Sequence, residues 1–532
     1  MPGCRRAGSA SVDEPRPAAW RGARWGTLAA AIGCIALPGP AHAQRWTTTA
    51  SVGATGTYNH YIGANQPNDG FVACLTGSLG IHGGEGGRLK VNGTLGANQF
   101  LCAGGQGNSF APAVSLAATL EAIEKFFFVD ATASASTSFV TPFGPQPANL
   151  TVPTNNRYIA EAYSVSPYIK GVIAPNISYS LRDDNVWTPS SSYGDSSLKA
   201  PSTYYNNLTG QMSSSTGYWG WTLDYSRQYY DNGFITGGAS TLQTAHAIGS
   251  YRVDPQLSVS LRGGYERDNF SMVSTEQGFI YGAGMNWRPT ERTSVDGYWE
   301  HHFFGSSYSA QVSHRLPNVA LSASASRGLS NYPQLAFQIP GSVTVAQFLD
   351  AAFTTRIPDP VARAQAVAQF LAQSGLPPIL LSPLNFYTAQ TSLQQSASLS
   401  AVWVGVLNSI GFTVFRTKTE TIAGTLAGLP DIFQAAANST QTGCGVNYSH
   451  RLTGFTNFFA TTTYSRTTPN NSDDTANNAR TNNFNATLGL STQFSPKTTG
   501  SVGLSYFTFD SPGSSIGNAS TVSLYASISH TF

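Results

Sequence analysis

Apolar and polar side chains alternate along most of the chain from Trp46 onward. The segment 257–267 shows the alternation clearly, with Leu257, Val259, Leu261 and Tyr265 on one face and Ser258, Ser260, Arg262 and Glu266 on the other. Successive side chains of a β-strand point to opposite faces, so a period of two predicts strands with one apolar and one polar face. Because the pattern recurs throughout, we predict an all-β protein.

Short turns interrupt the alternation at ten places. They lie at 83–87, 123–125, 173–176, 213–217, 253–256, 288–291, 316–318, 406–409, 452–454 and 495–497. Longer Asn-, Gly- or Pro-rich stretches separate them, as in bacterial barrels that alternate short periplasmic turns with longer external loops. Ten turns plus a strand at each terminus predict a large transmembrane antiparallel β-barrel of about 22 strands, an even number that returns both termini to the periplasm.

The final predicted strand keeps the alternation to the last residue. Its apolar face carries Val522, Leu524, Ala526, Ile528, His530 and Phe532, and its polar face carries Ser523, Tyr525, Ser527, Ser529 and Thr531. An aromatic residue at the end of the apolar face fits a C-terminal insertion signal. We therefore expect Phe532 to be read by the barrel-assembly machinery.

Composition supports a membrane barrel. Charged residues make up 11% of the chain, less than half of the roughly 25% of soluble domains. Aromatic residues make up 12%, which argues against intrinsic disorder. The net charge of +2 and the absence of basic runs give no reason to expect a nucleic-acid partner.

The N-terminus has the features of an export signal. Basic Arg21 and Arg24 precede an apolar run at 25–37, and Ala41-His42-Ala43 fits a cleavage site. The sequence thus predicts a signal peptide over 1–43 and a barrel over 44–532. Since no later segment has the about 18 apolar residues of a spanning helix, membrane insertion requires a closed barrel in the outer membrane of a Gram-negative cell, surrounded by outer-membrane lipids.

One long connection departs from the strand pattern. Between 333 and 388, apolar residues recur at helical spacing around Phe348 and Ala364, and Pro360 and Gly375 suit a helix start and stop. The turn count places this insertion outside the cell. We predict a partly helical external insertion that either folds inward as a constriction or packs over the barrel rim.

Three cysteines follow the signal peptide: Cys74, Cys102 and Cys444. Cys74 and Cys102 fall near the same end of neighbouring predicted strands. Export to an oxidising compartment allows them to form a disulfide, and the alternative is that both stay unpaired in the wall or at the rim.

The polar faces contain several charged residues that we predict to line the lumen: Asp130, Glu161, Asp224, Arg262, Glu266, Asp296 and Glu300. Such residues either set pore selectivity or are the polar filling of a wide barrel. His301 and His302 beside Glu300 suggest a metal site, yet neighbours on a strand face opposite sides, so only one of them can join Glu300. No motif predicts catalysis, a metal or a cofactor, and we expect a protein that is not an enzyme.

Several segments resemble the outer-membrane proteins associated with the PEP-CTERM/exosortase system. They are 124–144, 163–169, 286–293, 298–308 and the insertion from Pro358 to Tyr387. The resemblance spans nearly the whole predicted barrel and implies an outer-membrane barrel linked to exopolysaccharide production. It assigns no functional residues.

Three functions fit these expectations. The first is passage or anchoring of exopolysaccharide or another envelope polymer, the second a general diffusion porin, and the third a structural or surface-binding barrel without transport. A plugged transporter has a similar strand count. It needs a plug domain before the first strand, and the alternation already begins at Trp46.

Overall fold

The computed structural model describes twelve continuous stretches and isolated residues between 346 and 386. The stretches are 45–63, 69–85, 87–102, 109–192, 199–200, 202–231, 239–269, 276–331, 391–422, 436–470, 480–512 and 518–532. The predicted signal peptide, 1–43, lies outside the described residues.

Strands make up nearly all of the described chain. In chain order they are β1 Arg45–Ile62, β2 Gly70–Glu85, β3 Leu89–Cys102, β4 Ser109–Ile123, β5 Phe127–Phe139, β6 Arg157–Ala174, β7 Ile177–Thr188, β8 Ser191–Ser192, β9 Lys199–Ala200, β10 Thr203–Thr216, β11 Trp219–Asp231, β12 Ser240–Arg252, β13 Leu257–Asp268, β14 Glu276–Thr290, β15 Thr293–His302, β16 Gly305–Arg315, β17 Val319–Ser330, β18 Ser392–Val404, β19 Asn408–Thr421, β20 Ser439–Arg451, β21 Thr456–Pro469, β22 Thr481–Ser495, β23 Thr498–Asp510 and β24 Ala519–Thr531.

Twenty-two of these strands form one closed antiparallel sheet, and β8 and β9 form a separate two-stranded ribbon. Each barrel strand pairs with its neighbours in sequence, and β1 closes the ring on β24, from Ser51 opposite Thr531 to Ile62 opposite Ser520. The backbone N–H of Phe532 donates to the Ala50 carbonyl at 2.8 Å, which extends the seam by one residue. The prediction of an all-β barrel with 22 strands is confirmed.

All ten predicted turns join consecutive barrel strands at one edge of the barrel, which we call the short-turn edge. The turn between β10 and β11 shows why such connections use glycine, because Gly217 has a φ of 62°. At the opposite edge, the long-loop edge, most connections are longer. By the topology of such barrels the short-turn edge is periplasmic and the long-loop edge is external.

The outer surface of the barrel is apolar. Large hydrophobic side chains remain exposed there at alternate strand positions, among them Leu223, Leu261, Phe279, Leu488 and Ile528. Exposed apolar surface around a closed barrel matches a lipid environment, because lipid replaces the water that would otherwise contact it. The chain is therefore an outer-membrane barrel.

The insertion predicted over 333–388 lies mostly outside the described residues. Three backbone bonds of the helical i to i−4 type occur there, including Thr354 N–H to the Asp350 carbonyl at 3.1 Å and Arg363 N–H to the Asp359 carbonyl at 3.0 Å. A bounded helix is not described, so the partly helical insertion remains a prediction. Within the described stretches, no helix combines the length and the hydropathy needed to cross a membrane.

The structure also bears on whether Cys74 forms the disulfide that the sequence allows. Cys74 is a free, buried thiol packed with Val72, Phe100 and Ala111, and Cys444 is free and exposed. The side chain of Cys102 lies outside the described residues. The structure thus contains no disulfide at Cys74.

Candidate functional site

A cluster of ionisable side chains lies on the inner face of strands β11 to β15. We call it the charged wall, and it consists of Asp224, His246, Arg262, Glu266, Glu300 and His302. Strand register brings the cluster together, because Asp224 pairs with His246, His246 with Gly264, Arg262 with Gly282, and Gly282 with Glu300. The outward neighbour Leu261 is 75% exposed, which identifies the opposite face as the one turned to the lumen.

Glu300 is the centre of the charged wall. One carboxylate oxygen accepts from Arg262 Nε at 2.6 Å, and the other lies 3.3 Å from His302 Nε2. Gly282 lies between Arg262 and Glu300, where a Cβ atom would collide with the backbone of Trp299 and with Glu300. The absence of a side chain at this position lets the two charges meet across an intervening strand.

Glu266 connects the charged wall to the turn between β15 and β16. Its carboxylate lies 2.8 Å from His302 Nδ1 and accepts from the backbone N–H of Phe303 at 2.6 Å. The His302 ring stacks on Phe304 with centroids 5.0 Å apart. Glu266 is only 1% exposed, so its carboxylate contacts partners within the protein and not solutes in the lumen.

The charged wall is open to the lumen at its Asp224 end. His246 Nδ1 lies 2.9 Å from Asp224, whose side chain is 32% exposed. The Arg262 guanidinium carbon lies 4.5 Å from the centroid of the Tyr298 ring, a cation–π distance. The wall thus offers a partly accessible carboxylate and an aromatic ring beside a buried ion network.

A second charged group lies on β5 and β7. Arg182 donates from Nη1 to Asp130 and from Nε to Asp184, both at 2.7 Å. Thr119 donates its hydroxyl to Asp130 at 2.9 Å, and the Arg182 guanidinium carbon lies 4.9 Å from the Tyr168 ring centroid. Sequence analysis did not single out Arg182 as the partner of Asp130, because β6 lies between the two strands that carry them.

The predicted lumen residues divide into two groups. Strand register places Asp130, Asp224, Arg262, Glu266, Asp296 and Glu300 on the inner face. The prediction for Glu161 is wrong. Glu161 lies on the outer face, two residues from Tyr163, which donates its hydroxyl to Glu161 at 3.1 Å, and four from Val165, which is 42% exposed. At this strand end the inner face carries Ala160 and Ala162 while the outer face carries Glu161, so alternation alone does not identify the lumen side.

His302 faces the lumen with Glu300, whereas His301 stacks on Tyr281 on the outer face with centroids 5.1 Å apart. Only one of the two histidines therefore joins Glu300. No group of three His, Cys, Asp or Glu side chains suited to a metal ion occurs in the described stretches.

The connection between β5 and β6, residues 140–156, folds into the lumen. We call it the inward loop. Its backbone N–H groups at Gln146 and Ala148 donate to the side-chain oxygens of Asn483 and Asn485 on β22, both at 2.9 Å. Val152 packs against Phe507 and Phe509 of β23.

The Arg157 side chain stabilises the inward loop from its C-terminal end. Its guanidinium donates to four backbone carbonyls of the loop, at Pro147, Asn149, Leu150 and Val152, over 2.6 to 3.0 Å. Asn59 on β1 donates to a fifth, the Thr151 carbonyl, at 3.1 Å. The loop is therefore tied to the inner wall and does not project from the external rim.

The described part of the insertion also reaches the inner wall. Leu384 N–H donates to the side chain of Gln441 on β20 at 3.1 Å, and Gln441 donates back to the Leu384 carbonyl at 3.2 Å. A Cβ atom on Gly445 would lie 3.1 Å from the Leu381 side chain. Of the two alternatives that the sequence left open, inward folding applies to Leu381 and Leu384.

The inward loop and the charged wall lie on opposite sides of the lumen. The loop contacts β22, β23 and β1, whereas the charged wall is centred on β13, and ten strands separate β13 from β24 in either direction around the ring. Sequence reasoning missed Asn483 and Asn485. Their signal is asparagine at two successive inner positions, 483 and 485, which alternation classifies only as polar.

Comparison with known proteins adds little to this picture. No family model and no curated protein matches the sequence. Among solved structures, the siderophore receptor PirA from Acinetobacter baumannii is 11% identical with a TM-score of 0.43, covering 91% of this chain and 80% of that one. The ferric preacinetobactin receptor BauA from the same species is 11% identical, with a TM-score of 0.42 and coverage of 92% and 81%. OprD from Pseudomonas aeruginosa is 8% identical, with a TM-score of 0.33 and coverage of 91% and 95%.

Proposed function

We propose that the chain is an outer-membrane passage barrel in which the inward loop and the charged wall bound the narrowest part of the route. The anchoring of the loop to Asn483 and Asn485 carries this proposal, because a segment held inside a barrel limits the size of what can cross. A loop that served only to bind ligands at the surface would not need partners on the inner wall.

The chemistry of the lumen favours a hydroxyl-rich cargo. Interior positions on β20 to β22 are mostly Ser, Thr, Asn and Gln, including Gln441, Asn447, Thr467 and Asn483. Such side chains exchange hydrogen bonds with sugar hydroxyls without requiring a charge. Together with the resemblance to barrels of the PEP-CTERM/exosortase system, this composition supports exopolysaccharide as the cargo, with a general diffusion porin as the alternative.

Release of the inward loop tests the proposal. In Asn483→Ala/Asn485→Ala, two backbone N–H groups of the loop lose their acceptors, so we expect larger sugars to enter proteoliposomes in swelling assays. Asn482→Ala is the matched control, since the Asn482 side chain accepts from Tyr464 on the outer face. Heat-dependent gel mobility reports whether each variant is folded.

The same assay separates the cargo alternatives. A polymer route admits linear oligosaccharides and excludes branched ones of equal mass, whereas a diffusion porin admits both up to one size limit. If neither the natural chain nor the double variant admits any sugar, the passage proposal is contradicted and a surface-binding barrel is favoured.

A further inference from the structure

Charge is distributed unevenly along the barrel axis. The ten short turns, together with three strand residues on either side of each turn and the matching ends of β1 and β24, contain ten Lys or Arg and five Asp or Glu. The rest of the sequence from residue 45 onward contains fourteen Lys or Arg and twenty Asp or Glu. The periplasmic end is therefore basic and the remainder acidic, which attracts anions to the short-turn edge.

Three of the ten basic residues line one recess on the inner side of this edge. It has a volume of about 600 Å³ and is lined by Arg288, Arg292 and Arg315, with Glu291 as its one acidic lining residue. Arg315 lies at the end of β16 on the inner face that includes Ser313, and Arg288 directly follows Trp287, where the register between β14 and β15 shifts. The recess therefore faces the periplasmic mouth of the lumen.

The guanidinium groups of the recess are not neutralised. None of the three arginines forms an ion pair with a carboxylate in the described stretches, in contrast to Arg182 and Arg262 farther up the wall. Arg315 Nε is shielded from solvent without a hydrogen-bond acceptor, while its Nη2 makes a 3.4 Å contact with the Glu291 carbonyl. Guanidinium groups with free donors bind carboxylates in a bidentate manner.

Most of the other lining residues are uncharged and polar, and Ala320 and Leu321 are apolar. The polar residues include Ser294, Gln311, Ser313 and Ser322, and the hydroxyls of Ser294 and Ser313 lie 2.7 Å apart. This combination of cationic groups and hydroxyl partners suits a sugar that bears a carboxylate. A small free oxyanion would use the arginines but not the uncharged lining.

We propose that the recess at Arg288, Arg292 and Arg315 is a loading site for carboxylate-bearing sugars, so that the cargo of the barrel is an acidic glycan received from the periplasm. This inference rests on the proposed passage function and specifies its substrate class and direction.

The test is a binding titration of the full chain, extracted from membranes in detergent, with a linear galacturonic-acid oligomer at low salt. A neutral galactose oligomer of equal length and inorganic phosphate are the comparison probes. In Arg288→Gln/Arg315→Gln we expect binding of the acidic oligomer to weaken about 100-fold, because each hydrogen-bonded charge contributes roughly tenfold. The neutral oligomer should bind weakly to both proteins.

Arg252→Gln/Arg451→Gln is the matched control, because it removes two charges from the same edge outside the recess. We expect this variant to bind the acidic oligomer within about fivefold of the natural chain. Equal losses in the two double variants would show that diffuse edge charge attracts the glycan, and would overturn the site. Competition by phosphate at concentrations equal to the oligomer would show a free-oxyanion site, and would overturn the glycan assignment.

The binding titration and the swelling assay distinguish failure of the loading site from failure of the passage proposal. The titration does not require an open pore, and swelling with neutral sugars does not require the arginines. Sugar entry without acidic-oligomer binding contradicts the loading site alone, whereas binding without any sugar entry contradicts passage.

Discussion

At the scale of single residues, the charged wall contains carboxylates whose partners lie on other strands. Glu300 joins β15 to β13 through Arg262, and Glu266 joins β13 to the turn at Phe303. Both carboxylates are nearly inaccessible to solvent, while Asp224 keeps part of its surface. The buried pair therefore stabilises the wall, and the exposed Asp224 is the member that a passing solute can meet.

We expect Glu300→Ala to lower the free energy of unfolding by about 3 to 5 kcal/mol, because it leaves Arg262 and His302 buried without their shared partner. Urea titration of the detergent-solubilised barrel measures this change. The control is Glu420→Ala, which breaks the exposed pair of Lys418 and Glu420 on β19 and should cost about 1 kcal/mol or less. Equal effects would mean that the wall contributes no more than a surface ion pair.

At the scale of elements, the inward loop has no regular secondary structure, yet hydrogen bonds hold it in place. Arg157 supplies donors to four loop carbonyls, and β22 supplies acceptors for two loop N–H groups. Buried backbone groups need such partners, because an unpaired carbonyl or amide inside the barrel is costly. The loop can therefore lie inside the barrel, away from the rim, with these backbone groups hydrogen-bonded.

We expect Arg157→Ala to make the inward loop sensitive to protease in the folded barrel, because four carbonyls lose their donor at once. Arg157→Lys should restore only part of the protection, since an ammonium group cannot reproduce the planar guanidinium. Mass spectrometry of limited digests locates the cuts, and Arg466→Ala on the outer face of β21 is the control. Cuts confined to other loops in Arg157→Ala would contradict this role.

The strands and turns could be predicted from sequence because they depend on local patterns. A turn such as 316–318 is marked by the residues next to it, and a strand such as β13 by its own alternation. The inward loop depends on contacts between residues 337 positions apart, such as Gln146 and Asn483, and no local pattern specifies them. Sequence analysis named every member of the charged wall except His246, and the pairings within the wall follow from strand register and from the space at Gly282.

At the scale of the whole molecule, closure of the ring gives every residue of a strand one of two environments. Outward residues contact lipid and inward residues contact the lumen or the segments folded into it, so two adjacent positions differ in environment although they share a strand. The same closure leaves no exposed edge between β1 and β24, which is the condition for crossing lipid in strands. Stability in the membrane should then depend on the face of a substitution more than on its position along the strand.

Leu261 and Ser260 on β13 test this dependence on a single strand. Leu261 faces outward near the middle of the strand, and we expect Leu261→Arg to destabilise the barrel by about 2 to 4 kcal/mol in lipid vesicles, because the guanidinium is placed in hydrocarbon. Ser260→Arg adds the same side chain on the lumen face, where water solvates the charge, and should change stability by less than about 1 kcal/mol. Reversible urea unfolding from vesicles measures both, and in detergent micelles the two variants should differ less, since a micelle deforms to admit water. A larger loss for Ser260→Arg than for Leu261→Arg would contradict the assignment of faces, and with it the inner position of Arg262 and the charged wall.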